Sequence, residues 1–302
     1  MTKITRLFIV TLVLAFSTFH VGKAQELEDF VSAYTGENGR MYLQPLGDAL
    51  GANLSSNLFH SAKIPKMKFN IELSIATATV FISNNQRTFE ATPDASFTPA
   101  NPSEVPVTVP TVFGSTQSVT LAGEGGTATS FPGGVDLNAV PIAVPQLRVG
   151  SVFGTDFTVR YFGIDLGDEL GSLSLFGFGI RHSISQYLPD AFPVQLAAGY
   201  YNHSLALENF SETSASLINI QGSKKFGLLM VYSALGYESA DTNFNYTSSE
   251  ADGEVNLDLD TSNSLRFTLG AALKLGPLFV NADYNLGMSN VVSVGLGFSI
   301  GQ

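Results

Sequence analysis

The chain has 302 residues, of which 44% are hydrophobic and 14% charged, and its formal net charge is −11. Because a general affinity for nucleic acid needs a cationic surface, this charge excludes a nucleic-acid-binding protein. The chain contains no cysteine, which excludes disulfide frameworks, thiolate zinc sites and iron–sulfur clusters. Architecture and cellular location are therefore easier to predict from this sequence than an activity.

Residues 1–24 have the pattern of a secretory signal peptide. Two basic residues precede an almost continuous apolar run from Leu7 to Phe19, and small residues stand at Gly22 and Ala24, as a signal-peptidase site requires. A membrane-anchoring helix is the alternative, but the run is shorter than the roughly 20 residues that span a bilayer. We expect export and cleavage after Ala24.

Residues 25–66 form a predicted N-terminal helical segment before the first strand. A short amphipathic helix is predicted at Glu26–Tyr34, because its apolar residues recur at helical spacing. These candidate plug residues are Leu27, Phe30, Val31 and Tyr34. A second helix is indicated by Leu46, Ala49 and Leu50. The segment either blocks the mouth of a barrel as a plug or hangs in the periplasm, and the pattern leaves both open.

Alternation of apolar and polar residues predicts antiparallel strands from residue 67 to the end of the chain. The alternation is strict in the last three strands, Ser264–Gly276, Leu278–Leu286 and Val292–Ile300. Seven weaker runs precede them, at about Met67–Ser83, Val144–Val152, Thr155–Ile164, Leu173–Tyr187, Pro193–Ala206, Glu212–Ser223 and Phe226–Glu238. Residues 67–302 are therefore predicted as one all-β domain.

The composition of the polar face favours a transmembrane antiparallel β-barrel over a soluble β-sandwich. A sandwich exposes Lys, Glu and Thr to water, whereas these strands carry Gly, Ser, Ala and Asn opposite their apolar face. An outward apolar band, an inward polar face and strands of about 9–11 residues are typical of outer-membrane barrels. Small inward residues further indicate a narrow or crowded lumen.

Connection lengths predict the orientation of this barrel. If the C-terminus is periplasmic, short joints such as Phe153-Gly154 and Gly276-Pro277 lie in the periplasm, and the long segments lie outside. The long outer loop at residues 84–143 holds seven of the 13 prolines, so most of it is predicted as loop. Gln117–Leu121 could still pair with a neighbour, which leaves the strand count at about 10–14.

Three stretches of the sequence carry a resemblance to a known family. They are Pro145–Thr155 (PQLRVGSVFGT), Arg160–Phe162 (RYF) and Gly177–Pro189 (GFGIRHSISQYLP). With them the chain resembles an uncharacterised family of outer-membrane β-barrel proteins of the Bacteroidetes. The resemblance implies an outer-membrane location, with membrane lipid and the barrel-assembly machinery as partners, and no catalytic residues. Many outer-membrane barrels end in an aromatic residue, whereas here Phe298 is followed by four further residues.

In layout, the N-terminal segment followed by a barrel is similar to the FadL-type transporters of hydrophobic compounds, in which an N-terminal plug blocks the lumen. This similarity implies a small hydrophobic molecule as a possible ligand. It concerns layout alone, and it implies no site residues for this chain.

Candidate catalytic and metal-binding chemistry is sparse. His60, His182 and His203 are each followed by serine, but adjacent residues of a strand point to opposite faces, so these pairs are no catalytic dyads. The pattern G-x-S-x-G occurs once, at Gly297–Gly301 (GFSIG), but it lies in the last alternating strand and not at a strand-to-helix turn, so it is no nucleophile elbow. A metal-ligand spacing such as H-E-x-x-H does not occur. The acidic stretch at residues 250–260 is read as a solvated loop rather than a Ca²⁺ site. We expect no enzyme, no metal and no cofactor.

Basic residues within the strands are the clearest candidate functional residues. A cation that faces lipid at mid-depth costs roughly 2–4 kcal/mol, so most of them should face the lumen. The candidates for lumen or gating residues are Arg148, Arg160, Arg181, Arg266 and Lys274, with Asp283 as an acidic partner. They form either a static network with Asp283 or Glu238, or a constriction that attracts anions.

Two functions are compatible with these predictions. The first is a passive channel or transporter for a small, hydrophobic molecule, gated by residues 25–66 and by the loop at 84–143. The alternative is a closed structural, adhesion or binding barrel that acts through its acidic extracellular loops. A barrel of only ten strands favours the alternative, because small barrels fill their interiors with side chains.

Overall fold

The computed structural model describes residues 36–166, 171–189, 192–208, 210–248 and 253–301. The predicted signal peptide and the predicted helix Glu26–Tyr34, with Leu27, Phe30, Val31 and Tyr34, lie outside the described residues. No helix in the described part of the chain is long and apolar enough to cross a membrane.

The described residues form one α-helix, α1 (Gly36–Leu54), followed by strands. In chain order the strands are β1 (Met67–Phe81), β2 (Thr88–Ala91), β3 (Val107–Pro110), β4 (Val119–Ala122), β5 (Ala128–Phe131), β6 (Ala139–Val152), β7 (Thr155–Asp165), β8 (Ser172–Ser183), β9 (Gln195–Leu207), β10 (Ser211–Phe226), β11 (Leu229–Ser248), β12 (Gly253–Asp258), β13 (Ser262–Leu275), β14 (Leu278–Leu286) and β15 (Val291–Ile300). Short 3₁₀ helices lie at Asn84–Gln86, Pro102–Glu104, Glu124–Gly126 and Ser185–Tyr187.

Ten of these strands close into one antiparallel barrel. Strands β6 to β11 follow each other around it, β13, β14 and β15 continue from β11, and β1 closes the ring between β15 and β6. The register fixes which residues share a level, for example Leu73 beside Phe298 across β1 and β15. The predicted all-β antiparallel barrel with a short N-terminal helix is therefore confirmed, with ten strands among the described residues.

The two faces of the barrel differ as the alternation predicts. Along β15 every second residue is exposed, and these exposed residues are Val292, Val294, Leu296, Phe298 and Ile300. The residues between them are glycine or serine apart from the first, and they are buried. The same pattern recurs on the other barrel strands, so long apolar side chains cover the outside of the barrel.

The connections separate into a short-turn end and a long-connection end. At the short-turn end, two-residue turns join β6 to β7, β10 to β11 and β13 to β14. Gly227 and Gly276 begin two of these turns at φ +62° and +64°, a conformation that glycine adopts without steric cost. At the other end, β1 to β6 and β11 to β13 are joined by the longest connections. The short joints predicted at Phe153-Gly154 and Gly276-Pro277 are confirmed, whereas the connection from β8 to β9 at the same end has eleven residues.

The chain divides into two compact units, which we call the loop unit and the barrel unit. The loop unit comprises residues 36–47, 81–140 and 242–260 of the described chain, and the barrel unit comprises the rest. In the loop unit, β2 pairs with β3 and β4 pairs with β5. Tyr42 of α1 is fully buried there and donates a hydrogen bond from its hydroxyl to the carbonyl of Gly133 at 2.9 Å. The loop unit thus has a core of its own.

Several predicted element bounds are wrong. The segment at 84–143 is not simple loop, because it contains the hairpins β2–β3 and β4–β5 and the start of β6 at Ala139. The predicted pairing of Gln117–Leu121 forms β4, which pairs with β5 and adds no strand to the barrel. Strand β8 ends at Ser183 rather than Tyr187, because a 3₁₀ turn follows. The second helix indicated by Leu46, Ala49 and Leu50, by contrast, is confirmed, because all three belong to the 19-residue α1.

Candidate functional site

The lumen of the barrel unit contains residues 48–66, which we call the lumen segment. Asp48 accepts a hydrogen bond from Ser262, the first residue of β13, at the long-connection end. Further along, the amide of Ala62 donates to the Ser223 hydroxyl at 2.9 Å, and Gly154 at a short turn donates to the carbonyl of Lys66 at 2.9 Å. The chain therefore enters the lumen at the long-connection end and leaves it at the short-turn end, where β1 begins.

Apolar side chains of the lumen segment pack against inward-facing residues of the strands. Leu54 lies in one buried cluster with Val144 and Leu175. Leu58 and Phe59 lie in a second cluster with Tyr201, Leu217 and Tyr232, and a third contains Ala62, Ile64 and Ala197. The lumen is thus filled by a hydrophobic core that the segment shares with the barrel wall.

Glycines in the wall make room for the large side chains of this core. Tyr201 lies directly across from Gly179 in the β8–β9 register, and Tyr232 lies across from Gly270 in the β11–β13 register. A Cβ atom at either glycine would clash with the facing ring. The small inward residues that predicted a crowded lumen are therefore the complement of bulky residues on neighbouring strands.

Four arginines of the wall, Arg148, Arg160, Arg181 and Arg266, are at most 3% exposed and contact the lumen segment. Arg160 does so through main-chain acceptors: it donates to the carbonyls of Leu54 (3.2 Å), Ser56 (2.9 Å) and Asn57 (2.7 Å). Its Nε donates to the Gln146 side chain at 2.9 Å. The planar guanidinium is suited to this arrangement, because it presents several donors in fixed directions.

Each of the other three arginines joins a carboxylate of the wall to the lumen segment. Arg148 lies 2.7 Å from the carboxylate of Glu72 and donates to the carbonyl of Leu58 at 2.6 Å. Arg181 lies 2.5 Å from Asp156 and donates to the carbonyl of Ser61 at 2.7 Å.

Arg266 follows the same scheme near the long-connection end. It lies 2.5 Å from Glu238 and donates to the hydroxyl of Ser56 at 2.5 Å. The four arginines therefore bind the segment along its length, and three of them are neutralised by an adjacent acid.

The remaining predicted site residues lie apart from these pairs. Asp283 is buried and accepts hydrogen bonds from Tyr232 at 2.9 Å, from Asn285 at 2.6 Å and from Ser293. It therefore belongs to a polar cluster, and it forms no ion pair within 4.0 Å among the described residues. Lys274 occupies an inward position on β13 close to the short-turn end and is half-buried.

Two acidic partners, Glu72 and Asp156, were not identified from the sequence. Both lie at inward positions of their strands, in alternation with exposed apolar residues. That alternation could have identified them as lumen-facing acids from the sequence. One oxygen of Glu72 is buried without a hydrogen-bond donor and lies 3.6 Å from Nε2 of His60, which stacks on Phe279.

The histidines do not form a nucleophilic site with serine in the described structure. His182 lies 2.8 Å from the Thr155 hydroxyl and 2.9 Å from the Tyr187 hydroxyl, and His203 is buried beside Gly177. Among the described residues, no group of three or more histidine, aspartate or glutamate side chains could hold a metal ion.

One loop carboxylate has a perturbed pKa. Glu208, in the connection between β9 and β10, accepts hydrogen bonds from the hydroxyl and the amide of Ser172 at 2.9 and 3.0 Å. These bonds favour the ionised form, so they lower the pKa of the Glu208 carboxyl. The contact tethers this connection to the start of β8 at neutral pH.

Comparison with known proteins identifies a family and a set of distant structural likenesses. A model described as a family of unknown function (DUF6588) matches residues 1–300. No curated protein sequence matches the chain. The outer-membrane protease OmpT of Escherichia coli is 10% identical, with a TM-score of 0.36, over 79% of this chain and 98% of that one.

Two further solved structures are similar at the same distant level. The toluene transporter TbuX of Ralstonia pickettii has a TM-score of 0.28 and 9% identity over 83% of this chain and 94% of its own. The attachment invasion locus protein Ail of Yersinia pestis has a TM-score of 0.24 and 11% identity over 78% of this chain and all of its own. These scores are too low to indicate an activity.

Proposed function

For this chain, which belongs to the family of unknown function DUF6588, we propose an outer-membrane β-barrel that is closed by its own lumen segment and binds a cationic partner through its acidic loop unit. The observation that carries the closure is the set of four buried arginines that donate to residues 54–61. A permanently open pore would require a lumen that is empty or lined by solvated side chains.

The outward face supports a membrane location for the barrel. Large apolar side chains are exposed all along the strands, including Phe69, Phe157, Phe178, Leu235 and Leu265. A soluble protein rarely exposes a contiguous apolar surface of this size. An apolar outside around a polar and filled inside is the arrangement of a transmembrane barrel, and the predicted signal peptide supplies the route of export.

The energetics of the lumen segment argue against spontaneous opening. Displacing it would expose apolar side chains worth about 2 kcal/mol each, among them Leu54, Leu58 and Phe59. It would also break the hydrogen bonds that the four arginines donate to the segment, at about 1 kcal/mol for each arginine. The sum is on the order of 10 kcal/mol, so roughly one molecule in ten million would be open at equilibrium.

The charge of the loop unit indicates the chemistry of its partner. The described residues of the loop unit contain nine acidic and two basic side chains. Exposed carboxylates such as Glu90, Glu104 and Glu124 are held on a folded unit with its own core. A fixed array of negative charge favours association with a cationic partner and repels anionic ones.

Planar-bilayer recording of the refolded mature protein tests the closure. We expect no conductance from the chain that begins at residue 25. A steady conductance from this full mature chain would contradict a closed barrel. A chain that lacks residues 25–65 serves as the comparison, and its folding is checked by the heat-modifiable migration that closed barrels display on gels.

Binding of poly-L-lysine to the protein in phosphatidylcholine nanodiscs tests the second half of the proposal. Neutralising Glu90, Glu104 and Glu124 together to glutamine should weaken binding severalfold, and added salt should weaken it further. Glu212→Gln, at an exposed position on β10 in the barrel unit, is the matched control and should have little effect. If Glu212→Gln weakened poly-L-lysine binding as much as the triple variant, or if the unmodified protein did not bind poly-L-lysine, the proposal would be contradicted.

Gated passage of a small hydrophobic molecule is the second candidate function. It is favoured by one observation: between α1 and β1 the described lumen segment forms neither helix nor strand, so it could move without unpairing the barrel. A transporter of this type requires a ligand or partner that offsets the cost of displacement. Uptake of a small hydrophobic solute by the full mature chain would favour this candidate, because a permanently closed barrel predicts uptake only after removal of residues 25–65.

A further inference from the structure

Every lysine of the chain after residue 24 lies at the short-turn end of the barrel unit. The six are Lys63, Lys66, Lys68, Lys224, Lys225 and Lys274. The first three bracket the start of β1, the next two end β10, and Lys274 precedes the turn between β13 and β14. The amide of Lys274 also donates to the carbonyl of Leu228, in the turn between β10 and β11, at 3.1 Å. The turn between β10 and β11 therefore lies beside the end of β13, whereas β14 and β15 separate β13 from the start of β1.

Four of these lysines face the mouth of the lumen, and we call them the mouth lysines: Lys63, Lys68, Lys225 and Lys274. Lys68 and Lys225 continue the inward alternation that passes through Asn70 on β1 and Ser223 on β10. Lys63, Lys68 and Lys225 are all close enough to Lys274 to act on its ammonium group electrostatically. Lys63, Lys68 and Lys225 are also exposed to solvent.

The acids near this mouth offset only part of the positive charge, because Glu72 attracts the Lys274 ammonium group but pairs with none of the other mouth lysines. Glu72 and Asp156 face the lumen, but Arg148 and Arg181 already neutralise them. Among the described residues, Lys63, Lys68 and Lys225 have no carboxylate within 4.0 Å. Four like charges that converge on one opening repel each other, and an anion bound between them would relieve that repulsion.

We propose that the mouth lysines form a binding site for a multivalent phosphate at the short-turn end of the lumen. Lysine is a compact point charge that commonly binds phosphate, and several of them together favour a ligand with several negative charges. The opening lies at the opposite end of the barrel from the long connections that join β1 to β6 and β11 to β13. The site goes beyond the proposed function, and it holds whether or not the barrel opens.

The phosphate could belong to a soluble molecule or to a lipid headgroup, and the placement of the lysines separates these sources. Lys224 points outward, with its ammonium 5.6 Å from the ring of the exposed Phe226, where a surrounding lipid would meet it. Lys225 points towards the mouth. Adjacent residues therefore provide a test variant and a control with the same charge change.

Calorimetric titration of the full mature chain with inorganic tripolyphosphate tests the site. The protein is held in phosphatidylcholine nanodiscs at low ionic strength. Lys225→Gln and Lys68→Gln should each weaken binding about tenfold, because each removes one charged contact, whereas Lys224→Gln should change it less than about twofold. All three lysines are exposed, so the variants should fold, and their heat-modifiable migration on gels verifies it.

A second set of nanodiscs, of equal parts phosphatidylcholine and phosphatidylglycerol, identifies the source. Unchanged tripolyphosphate binding in these discs assigns the site to a soluble phosphate. If tripolyphosphate binding is lost in the discs that contain phosphatidylglycerol, and if this loss requires Lys225, the site is assigned to a lipid headgroup. Absence of saturable binding in phosphatidylcholine discs, or equal weakening by Lys224→Gln and Lys225→Gln, would overturn the proposal.

Discussion

The guanidinium of Arg160 donates a hydrogen bond of 2.7 Å to the main-chain carbonyl of Asn57. Arg160 lies on β7 of the barrel wall, and Asn57 lies in the lumen segment, 103 residues earlier in the chain. The bond is one of three that this side chain makes to carbonyls of the segment. Since the acceptors are main-chain atoms, the contact depends on the path of the segment rather than on its side chains.

Arg160→Met should therefore loosen the lumen segment while leaving the barrel wall intact. The change removes the donors to three carbonyls of the segment and should lower the free energy of unfolding by about 3 kcal/mol. We expect brief conductance events that the unmodified chain lacks. Urea unfolding in detergent and planar-bilayer recording measure the two effects.

Arg160→Lys is the informative control for that variant. It keeps the charge but cannot direct donors to three carbonyls at once, so its stability should fall between that of the unmodified chain and that of Arg160→Met. If Arg160→Lys matches the unmodified chain, the charge alone holds the segment and the forked geometry has no role.

The strands could be predicted because the lipid-facing side of a barrel must be apolar at every second residue. In β13 this gives an unbroken alternation around Arg266, and the inward direction of the arginines follows from the same pattern. The role of these residues in gating stays a prediction. The predicted strand boundaries were least accurate where contact with lipid does not require alternating apolar residues, as in β2 to β5.

The partners of the arginines could not be predicted from the sequence for a different reason. The carboxylate of Glu72 reaches Arg148 across 76 residues of chain, because closure of the barrel places β1 beside β6. Arg160 binds main-chain carbonyls, which every residue possesses and no sequence pattern reveals. Of the two acids named in advance, Glu238 pairs with Arg266, whereas Asp283 accepts from tyrosine, serine and asparagine.

Removing one partner of the buried pair Arg266–Glu238 should be strongly destabilising. Arg266→Met or Glu238→Gln alone leaves the opposite charge unpaired, at a cost of about 3–5 kcal/mol. The double variant should lose less than the sum of the two. A double-mutant cycle by urea unfolding measures this coupling.

The exposed pair Arg87–Asp136 in the loop unit is the matched control. Its side chains are 19% and 60% exposed, against 1% and 0% for Arg266 and Glu238. Solvent screens this pair, so its coupling should be about 1 kcal/mol or less. Equal coupling in the two pairs would mean that the lumen is more hydrated than its burial indicates.

Gly270→Ala should destabilise the barrel, because the new methyl group would clash with the ring of Tyr232. Crowding of this kind costs about 1–3 kcal/mol. Gly163→Ala on β7 is the control, since its nearest neighbour is the Tyr161 hydroxyl at 3.8 Å, and it should change stability by less than about 0.5 kcal/mol. Adding Tyr232→Leu to Gly270→Ala should restore part of the loss. A Gly270→Ala variant as stable as the unmodified chain would show that the wall can shift.

The orientation of the barrel can be tested with single cysteines, because the chain has none of its own. Asn290 is exposed in the connection between β14 and β15 at the long-connection end, and Lys225 is exposed at the short-turn end. If the long connections face outward, a membrane-impermeant maleimide should label Asn290→Cys on intact cells. It should label Lys225→Cys only after the outer membrane is permeabilised. The reverse pattern would place the long connections in the periplasm and the mouth lysines at the cell surface, and it would contradict the predicted orientation of the barrel.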